Sequence, residues 1–401
     1  MPTLLQINSC ANWGSTGKIA EQINQAATHK GWKTYLAYGR EVNPSQSELI
    51  HVGNKVSQAI ALVEARLFDN DGLSNRRATQ QLVKTIKAIK PDIIHLHNLH
   101  GYYINYRILF EYLNTTNIPV VWTLHDCWTF TGHCAHFVEV DCGKWINGCE
   151  RCPLKKSYPT SWGFDRSSRN FQLKKQSFAS NKNLHLIAVS QWLAGFVKHS
   201  FFHNVDLRVI NNGIDLNVFK PTKFEKKKKF RILGVSSVWT RSKGLFDVFR
   251  LRELLNEDEF EIMLVGLSDE QIKSLPQGVM GIARTNSVEE LVDYYSSADV
   301  FVNPTYGDTF PTTNLEALAC GTPVITYRTG GSPESVGVET GMIVKQGDVN
   351  AIVDAVKTVQ SLGKTHFSNA CRNRAEQLYN REERYNEYIE LFEKLMAERC
   401  K

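Results

Sequence analysis

The chain has 401 residues, of which 42% are hydrophobic and 22% are charged, and its formal net charge at pH 7 is +6. This composition is that of an ordinary globular protein and excludes a disordered chain, and the length favours two domains over a single hydrophobic core. A charge of +6 spread over this length, with no confined basic segment, does not indicate a nucleic-acid partner.

The sequence starts with MPTLLQINSC, which has neither the charged region nor the apolar core of a secretory signal. No run approaches the ~20 apolar residues of a membrane span. We therefore expect a cytoplasmic protein. Thiols stay reduced in that compartment, so the nine cysteines are not expected to form a disulfide framework.

The N-terminal half alternates short apolar runs with helical segments. Residues 3–7 are followed by NSCANWGSTGK and then by apolar residues at helical spacing, which predicts a strand, a glycine loop and a helix. The runs KTYLAY, PDIIHLH, IPVVWTLH and LHLIAVS repeat the strand pattern. Strands that alternate with helices are typical of βαβ units and a mostly parallel sheet.

The same alternation of predicted strands and helices begins again after an irregular connection. The stretch RVINNGIDLNVFKPTKFEKKKK contains Asn-Gly, Pro and four lysines, 226–229, which we interpret as a solvated linker, with a membrane-surface contact as the alternative. Strand candidates beyond it are FRILGV, FEIMLVG, DVFVNP, TPVITY and TGMIV, and residues 288–297 are predicted to form a helix.

These patterns predict an α/β protein of two domains. The N-terminal domain covers residues 1–213, with a cysteine-rich insertion near 127–160, and the C-terminal domain covers 222–380. Residues 381–401 are predicted to form a final helix, whose packing back on the N-terminal domain is a hypothesis.

The densest functional stretch is NPTYGDTFPTTNLEALACGTPVI, residues 303–325. It follows a predicted strand, turns through Gly307 and enters a predicted helix at 312–319. Free backbone amides at a helix N-terminus, with the positive end of the helix dipole, favour a bound phosphate. A carboxylate one or two turns into the helix can accept hydrogen bonds from the vicinal hydroxyls of a ribose.

This stretch resembles the nucleotide-sugar site of the retaining glycosyltransferases of family 4, whose fold (GT-B) has two Rossmann-like domains with parallel sheets facing across a cleft. Their signature is a glutamate, seven residues and a second glutamate. Here EALACGTPV, which begins at Glu316, agrees closely with the pattern. The first acid is Asp308, with Thr309 and Pro311 where that family usually has glycines. The alternative is that EALACGTPV is simple helix and turn structure.

The resemblance implies a role for each matching residue. Asp308 would contact hydroxyls of the donor sugar, and Glu316 would contact the ribose. The backbone amides of Thr312 and Thr313 would face the diphosphate. Because Asp308 is one methylene shorter than the usual glutamate, the identity of the donor sugar stays open.

Two further segments resemble donor-binding parts of the same family. In RSKGL, Lys243 is a point charge that could offset the growing negative charge of a leaving diphosphate, and Arg241 is a second candidate for which a surface role is the alternative. WGSTGK places Gly14 and Gly17 where the family has a glycine loop near the donor phosphate and the acceptor. Such turns also occur merely to close a Rossmann unit.

Histidines cluster at predicted strand ends. His125 follows the strand VVWTL at the carboxyl edge, where open α/β sheets bind ligands, and the resemblance implies that it lies over the donor sugar. A histidine of the core is the alternative. His95, His97 and His100 lie at the end of a neighbouring predicted strand. One of them could line an acceptor site, but alternation places His95 and His97 on one face, and packing in the core is the alternative.

Four cysteines after His125 have the spacing of a metal site. Their separations are seven, six and two residues, and the last pair forms C-x-x-C, in the set Cys134, Cys142, Cys149 and Cys152. Four sulfurs suit a closed tetrahedral zinc site, and the bound ion would fold a loop too polar to fold alone.

Other interpretations of the cysteine segment remain open. His133 or His136 could replace one sulfur, the cluster could hold iron and sulfur, or the cysteines could be unligated, and Cys127 is left as a spare or packed thiol. The segment resembles one in a subset of bacterial surface-polysaccharide transferases. Because the insertion follows His125 directly, we expect it to shape the acceptor side of the cleft.

The resemblance thus implies a retaining hexosyltransferase that uses a UDP or GDP sugar and needs no catalytic metal. The expected acceptor is a glycan, on a lipid carrier or free, in polysaccharide or lipopolysaccharide biosynthesis. Peripheral contact with the inner membrane face is a hypothesis. Two alternatives stay open: a nucleotide-sugar epimerase of the same architecture, and a non-enzymatic binding module that contains zinc.

Overall fold

The computed structural model describes residues 1–223 and 228–399 and consists of two units. One unit comprises Met1–Ile210 together with the segment from Tyr385 onward, and the other comprises Asn211–Arg384. Lys226 and Lys227 of the predicted linker lie outside the described residues, as do the last two residues of the predicted final helix. The two units are described separately below.

The N-terminal unit is built on a seven-stranded parallel sheet with the order β3-β2-β1-β4-β5-β6-β7. Strands β4 and β5 are buried at every position, as expected for the centre of a parallel sheet that is covered on both faces. The strands are β1 (Thr3–Asn8), β2 (Lys33–Tyr38), β3 (Glu48–His51), β4 (Ile93–Leu96), β5 (Val120–Leu124), β6 (Leu184–Ala188) and β7 (Asp206–Val209).

Six helices connect these strands: α1 (Gly14–His29), α2 (Lys55–Phe68), α3 (Arg76–Ile89), α4 (Tyr106–Leu113), α5 (Ser167–Phe178) and α6 (Gln191–His199). The regular elements of the cysteine-rich segment between β5 and α5 are short 3₁₀ turns of three residues each, at Trp128–Phe130, Val138–Val140 and Lys144–Ile146.

The predicted glycine loop WGSTGK is not a separate loop, because α1 already begins at Gly14. Gly17 lies inside the first turns of α1, where a Cβ atom would come within 3.3 Å of the Asn12 nitrogen and the Cys10 carbonyl oxygen. The lack of a side chain at Gly17 therefore lets the helix lie close against the segment that follows β1. Gly14 and Gly17 therefore both lie in the first turns of α1.

The C-terminal unit contains a six-stranded parallel sheet with the order β10-β9-β8-β11-β12-β13. The strands are β8 (Phe230–Val235), β9 (Phe260–Val265), β10 (Val279–Ile282), β11 (Val300–Asn303), β12 (Val324–Tyr327) and β13 (Gly341–Val344). Two sheets of parallel strands joined by helices confirm the predicted α/β class with two Rossmann-like units.

The helices of the second half are α7 (Leu245–Leu254), α8 (Asp269–Lys273), α9 (Val288–Ser297), α10 (Thr312–Ala319), α11 (Ser332–Ser335), α12 (Val349–Leu362), α13 (Lys364–Tyr379) and α14 (Arg381–Arg399). Both helices that the sequence pattern placed, at 288–297 and 312–319, have these bounds. No helix among the described residues has the length and apolarity needed to cross a membrane.

Helix α14 contributes side chains to the core of the N-terminal unit. Its buried residues Tyr388, Ile389 and Phe392 belong to one hydrophobic cluster with Leu4 of β1 and Ile93 of β4. The Tyr388 hydroxyl also lies 3.3 Å from the Thr123 hydroxyl of β5, which donates to it. The last helix is therefore an integral layer of this unit.

Candidate functional site

The amino end of α10 has no side-chain cap. Pro311 occupies the N-cap position in an extended conformation and offers no side-chain acceptor to the first amides of the helix. Thr312 and Thr313, which carry those amides, are half-buried. Because the first N–H groups of a helix lack intrahelical partners, this end of α10 can receive an anion.

Two acids flank this helix end. Asp308 lies four residues before α10, and its Oδ2 is 2.7 Å from Nζ of Lys243. Glu316 lies one turn into α10, where its Oε2 accepts a hydrogen bond of 2.8 Å from the Tyr295 hydroxyl. Tyr295 belongs to α9 and is fully buried. Its hydroxyl therefore fixes the orientation of the Glu316 carboxylate.

The turn that carries Lys243 is locked against the loop that follows β11. The Thr240 hydroxyl accepts from the Lys243 amide, and the backbone N–H of Tyr306 donates to the Ser242 carbonyl at 2.8 Å. Gly244 has φ +77°, and a Cβ atom there would lie 2.2 Å from the Pro304 carbonyl oxygen. Only glycine therefore permits this close approach, which holds Lys243 beside Asp308.

Asn314 ties the first turn of α10 to its surroundings. Its side chain is fully buried, accepts a hydrogen bond of 2.8 Å from Asn303 at the end of β11, and donates one of 2.9 Å to Ser335. Neither Asn314, Asn303 nor Tyr295 was singled out from the sequence. A single sequence gives no signal for them, because buried polar partners at such distances in the chain depend on the tertiary fold.

Arg241 is not brought into this group. It lies exposed at the start of the 3₁₀ turn Arg241–Lys243, where its carbonyl accepts from the Gly244 amide, but its guanidinium forms no hydrogen bond or ion pair within the described residues. The structure of this unit thus brings together Lys243, Asp308, Glu316 and the amino end of α10, and leaves Arg241 at the surface.

In the N-terminal unit, His125 directly follows β5 and is linked to two buried residues. His97 Nδ1 lies 3.0 Å from His125 Nε2, and His97 Nε2 lies 2.6 Å from Gln6 Oε1. The Gln6 amide nitrogen donates to the Ala20 carbonyl at 2.6 Å, which assigns Oε1 as the acceptor.

This chain of contacts sets the tautomers. Gln6 Oε1 accepts from His97 Nε2–H, so neutral His97 offers a lone pair at Nδ1. That lone pair accepts from His125 Nε2–H, and neutral His125 is left with its own lone pair at Nδ1. His125 is therefore built to accept a hydrogen bond at Nδ1.

The histidines of this cluster are neutral. Burial lowers the pKa of His125 to about 4, against a smaller opposing effect of the Asp126 carboxylate. Burial, together with the repulsion that protonated His97 would meet from protonated His95 or His125, holds the pKa of His97 well below its usual range. His95 is also fully buried, with its pKa lowered by burial and by His125, and its ring lies 4.2 Å from that of His97.

His100 behaves differently because it has an acidic partner. Burial lowers its pKa, but the Asp126 carboxylate, 2.8 Å from His100 Nε2, outweighs burial and raises the pKa above the usual value. The His100 Nδ1 atom lies 2.8 Å from the Tyr158 hydroxyl, which belongs to the cysteine-rich segment. The His100–Asp126 ion pair thus connects that segment to the end of β5.

The four predicted metal ligands line one small cavity. Around it lie Cys134, Cys142, Cys149 and Cys152, with His133 and Trp145. The Gly132 amide donates to Cys149 Sγ at 3.1 Å. Cys127 is buried but does not line this cavity, and none of these cysteines forms a disulfide.

His133 has the environment of a metal-binding histidine. Its Nδ1 lies 2.6 Å from Oδ1 of Asp69, at the end of α2, while its Nε2 is buried without a hydrogen-bond partner. Across residues 1–223 and 228–399, however, no three His, Cys, Asp or Glu side chains are already arranged to hold a metal ion.

Comparison with known proteins gives consistent matches. A family model described as Glycosyltransferase Family 4 matches residues 26–218, and one described as Glycosyl transferases group 1 matches residues 229–361. The chain is 26% identical, over 98% of its length and 100% of the relative, to the "Putative colanic acid biosynthesis glycosyl transferase WcaC" of Escherichia coli K12. It is 24% identical to a D-inositol 3-phosphate glycosyltransferase of Corynebacterium jeikeium, over 84% of this chain and 80% of the relative.

Solved structures match over the whole chain. Sucrose-phosphate synthase of Thermosynechococcus elongatus aligns with a TM-score of 0.74 at 19% identity, covering 99% of this chain and 100% of that one. Anabaena Alr3699/HepE in complex with UDP-glucose aligns with a TM-score of 0.65 at 15% identity, covering 98% and 99% of the two chains. These similarities confirm the predicted fold.

The buried histidines predict how stability depends on pH. Because the folded-state pKa of His97 lies well below the usual 6.5, the unfolded chain binds more protons as the pH falls below 6.5, and the free energy of unfolding decreases. Each such histidine contributes a decrease of up to about 2 kcal/mol between pH 7 and pH 5. The measurement is urea unfolding at both values.

The matched variant is His97→Gln, whose amide can still bond to its neighbours but does not titrate. We expect it to lose less stability than the wild type between pH 7 and pH 5, by about 1–2 kcal/mol. An equal loss in both proteins would contradict the assignment of His97 as a neutral buried residue.

Proposed function

The chain is a glycosyltransferase, and from that premise we propose that it transfers a sugar, with retention of anomeric configuration, from a nucleotide diphosphate to a glycan during polysaccharide or lipopolysaccharide assembly. The observation that supports the donor site is the ion pair of 2.7 Å between Lys243, in the turn before α7, and Asp308, in the loop that leads into the uncapped end of α10. Support for a polysaccharide pathway comes from the Escherichia coli relative, whose name assigns it to colanic acid biosynthesis.

The donor's diphosphate would bind at the first amides of α10. Backbone N–H groups and the positive end of the helix dipole stabilise the negative charge of the diphosphate. The Lys243 ammonium adds a positive charge, and its attraction to the diphosphate grows as the leaving group gains negative charge. Glu316, held by the Tyr295 hydroxyl, would accept from the ribose hydroxyls. A UDP or GDP sugar fits this set equally well, since neither contact reads the base.

The Lys243–Asp308 pair has a role before the donor arrives. Each side chain neutralises the other, and both remain partly exposed. An incoming diphosphate competes for Lys243, which frees the Asp308 carboxylate to accept from hydroxyls of the sugar. Donor binding would thus switch Asp308 from an ion pair to a sugar contact.

In the proposed reaction, the bond between the anomeric carbon and the diphosphate oxygen breaks, and the acceptor hydroxyl attacks the same face. The departing diphosphate takes the acceptor proton, so no nucleophilic side chain is required. Neutral His125 would accept a hydrogen bond from a sugar hydroxyl at Nδ1. No step of this scheme needs a catalytic metal.

Donor binding is tested by thermal unfolding in the presence of a panel of UDP, GDP and ADP sugars. Binding to the folded state raises its stability, by about 2.7 kcal/mol when the ligand concentration is a hundred times its Kd. We expect one donor type to raise the Tm of the wild type. Lys243→Met and Glu316→Gln should each lose most of that rise.

Lys357→Met is the matched control, because Lys357 is an exposed lysine of α12. It should respond to the donor as the wild type does. The proposal fails if no nucleotide sugar raises the Tm, or if both site variants respond like the control. With labelled donor and glycan, release of an isomerised nucleotide sugar without transfer would instead assign an epimerase.

We also propose a structural zinc ion in the cysteine-rich segment. Four thiols already share one cavity, a backbone amide points at Cys149 Sγ, and His133 keeps a buried Nε2 without a partner. Sulfur and imidazole nitrogen are the ligands that zinc prefers, and a carboxylate on the other ring nitrogen, as Asp69 provides, is typical of zinc-bound histidine. The thiols would have to close by a small movement, since none of the described groups is arranged as a finished site.

Through His133 and its Asp69 partner, the metal would link the segment to the end of α2, and it would stabilise a segment that has few regular elements. His133 is the candidate for a ligand in place of one sulfur, whereas Cys127 lies outside the cavity.

Metal analysis of the purified protein should therefore find about one zinc per chain. Cys149→Ser should lose most of the zinc and make residues 131–165 sensitive to protease, because the loop loses its cross-link. Cys371→Ser, at a buried cysteine of α13, is the control and should keep the zinc. Zinc-free wild type with an equally resistant segment would refute the structural metal.

A further inference from the structure

Helix α2 turns an apolar stripe towards solvent. Its only buried residues are Ala61 and Ala65. By contrast, four apolar residues spaced four, three and four positions apart lie on one exposed face. Their exposed fractions are 68% for Val56, 56% for Ile60, 54% for Val63 and 43% for Leu67. A water-facing helix normally shows the reverse pattern, and contiguous exposed apolar surface marks an interaction site.

The cysteine-rich segment adds two aromatic residues to the end of this stripe. Trp162 and Phe164 are 68 and 60% exposed. Their backbone amides donate to the carbonyls of Arg66 and Leu67 at 2.7 and 3.0 Å. Between them, Gly163 lies so close that a Cβ atom would be 2.2 Å from the Leu67 carbonyl oxygen. The segment is thus fastened to the last turn of α2.

Arginines border these aromatic rings. The rings of Phe68 and Phe164 stack with centroids 6.0 Å apart, and the guanidinium of Arg166 lies 5.7 and 5.6 Å from them. The Arg66 guanidinium lies 5.1 Å from the Trp162 ring. Exposed aromatic rings beside cationic side chains are the composition found at a membrane interface.

A basic groove of 780 Å³ runs along the same helix, and Ile60 of the stripe is part of its wall. The amino end of α3 opens into it, with Asn75 at the N-cap and no side-chain cap. Two acids also line the groove, and both have partners. Glu64 accepts a hydrogen bond from the Ser74 hydroxyl, and Glu111 forms an ion pair with Arg107. The groove contains four arginines: Arg76, Arg77, Arg107 and Arg169.

We propose that this face, made of the α2 stripe, Trp162, Phe164 and the arginine groove, docks on an anionic phospholipid bilayer. The apolar side chains enter the headgroup region, and the arginines bind lipid phosphates. A second copy of the chain fits less well, because a two-fold interface would bring the same arginines together. The inference rests on the proposed function only in taking the bilayer as the place where a lipid-linked acceptor is met.

The test is flotation of the full-length, zinc-replete protein with vesicles of phosphatidylcholine mixed with phosphatidylglycerol. The wild type should float with these vesicles at low salt, and neither with phosphatidylcholine alone nor at high salt. Ile60→Gln/Val63→Gln should lower the ratio of bound to free protein about tenfold or more. Arg76→Gln/Arg77→Gln should lower it about 20- to 30-fold, at roughly one kcal/mol for each arginine.

The control is Phe246→Gln, which changes an equally exposed apolar residue, 60% exposed, on α7. It should float as the wild type does. All variants should keep the wild-type Tm and its rise with donor, which separates a failure of docking from a failure of the proposed enzyme activity.

Three results would overturn the proposal. The wild type could fail to float, or the Ile60→Gln/Val63→Gln variant could float like the control. Sedimentation velocity could also reveal a dimer that this variant dissociates, in the absence of vesicle binding, which would assign the face to a second copy of the chain.

Discussion

The amino end of α10 is the constraint on which the proposed chemistry depends. Because α10 begins at Thr312, after Pro311, and has no side-chain cap, its first amides are left to an outside partner. The surrounding residues keep this end rigid and available: Asn314 ties it to β11 and α11, and the Gly244 turn holds Lys243 beside Asp308. In the proposed donor site, a diphosphate would accept from these amides and pair with the lysine.

In the N-terminal unit, hydrogen bonds between side chains orient the candidate site residue His125. The central histidines of this unit are buried, neutral and joined by hydrogen bonds from Gln6 through His97 to His125, so the orientation and the tautomer of His125 are fixed before any substrate binds. Hydrogen bonds made by preorganised groups cost little reorganisation during a reaction. The same end of β5 also carries Asp126, whose ion pair with His100 reaches the cysteine-rich segment through Tyr158.

The cysteine-rich segment serves two proposed purposes through one set of contacts. Its cysteines surround a cavity, and its far end is fastened along α2 by Trp162 and Phe164. A metal in that cavity would therefore stabilise the same segment that carries the aromatic part of the proposed membrane face.

Local patterns were sufficient for much of the fold and for part of the site. Long apolar runs predicted the central strands, and the amides and acids of residues 303–325 predicted α10 with its bounds. The short strands β3, β7 and β10 were missed. Polar residues interrupt Glu48–His51 and Asp206–Val209, and Val279–Ile282 has only four residues, one of them a glycine. Tyr295, Gln6 and Asp126 were missed because their importance comes from hydrogen-bond partners that only the fold brings near.

Hydrogen–deuterium exchange of the intact protein, with and without the nucleotide sugar that raises its Tm, tests the central claim most directly. The account predicts slower exchange on donor binding at the amides of residues 312–314 and in the turn 240–245, with smaller changes elsewhere in the C-terminal unit. If the donor binds but exchange at those amides is unchanged, the diphosphate does not bind at α10, and the proposed donor site is wrong.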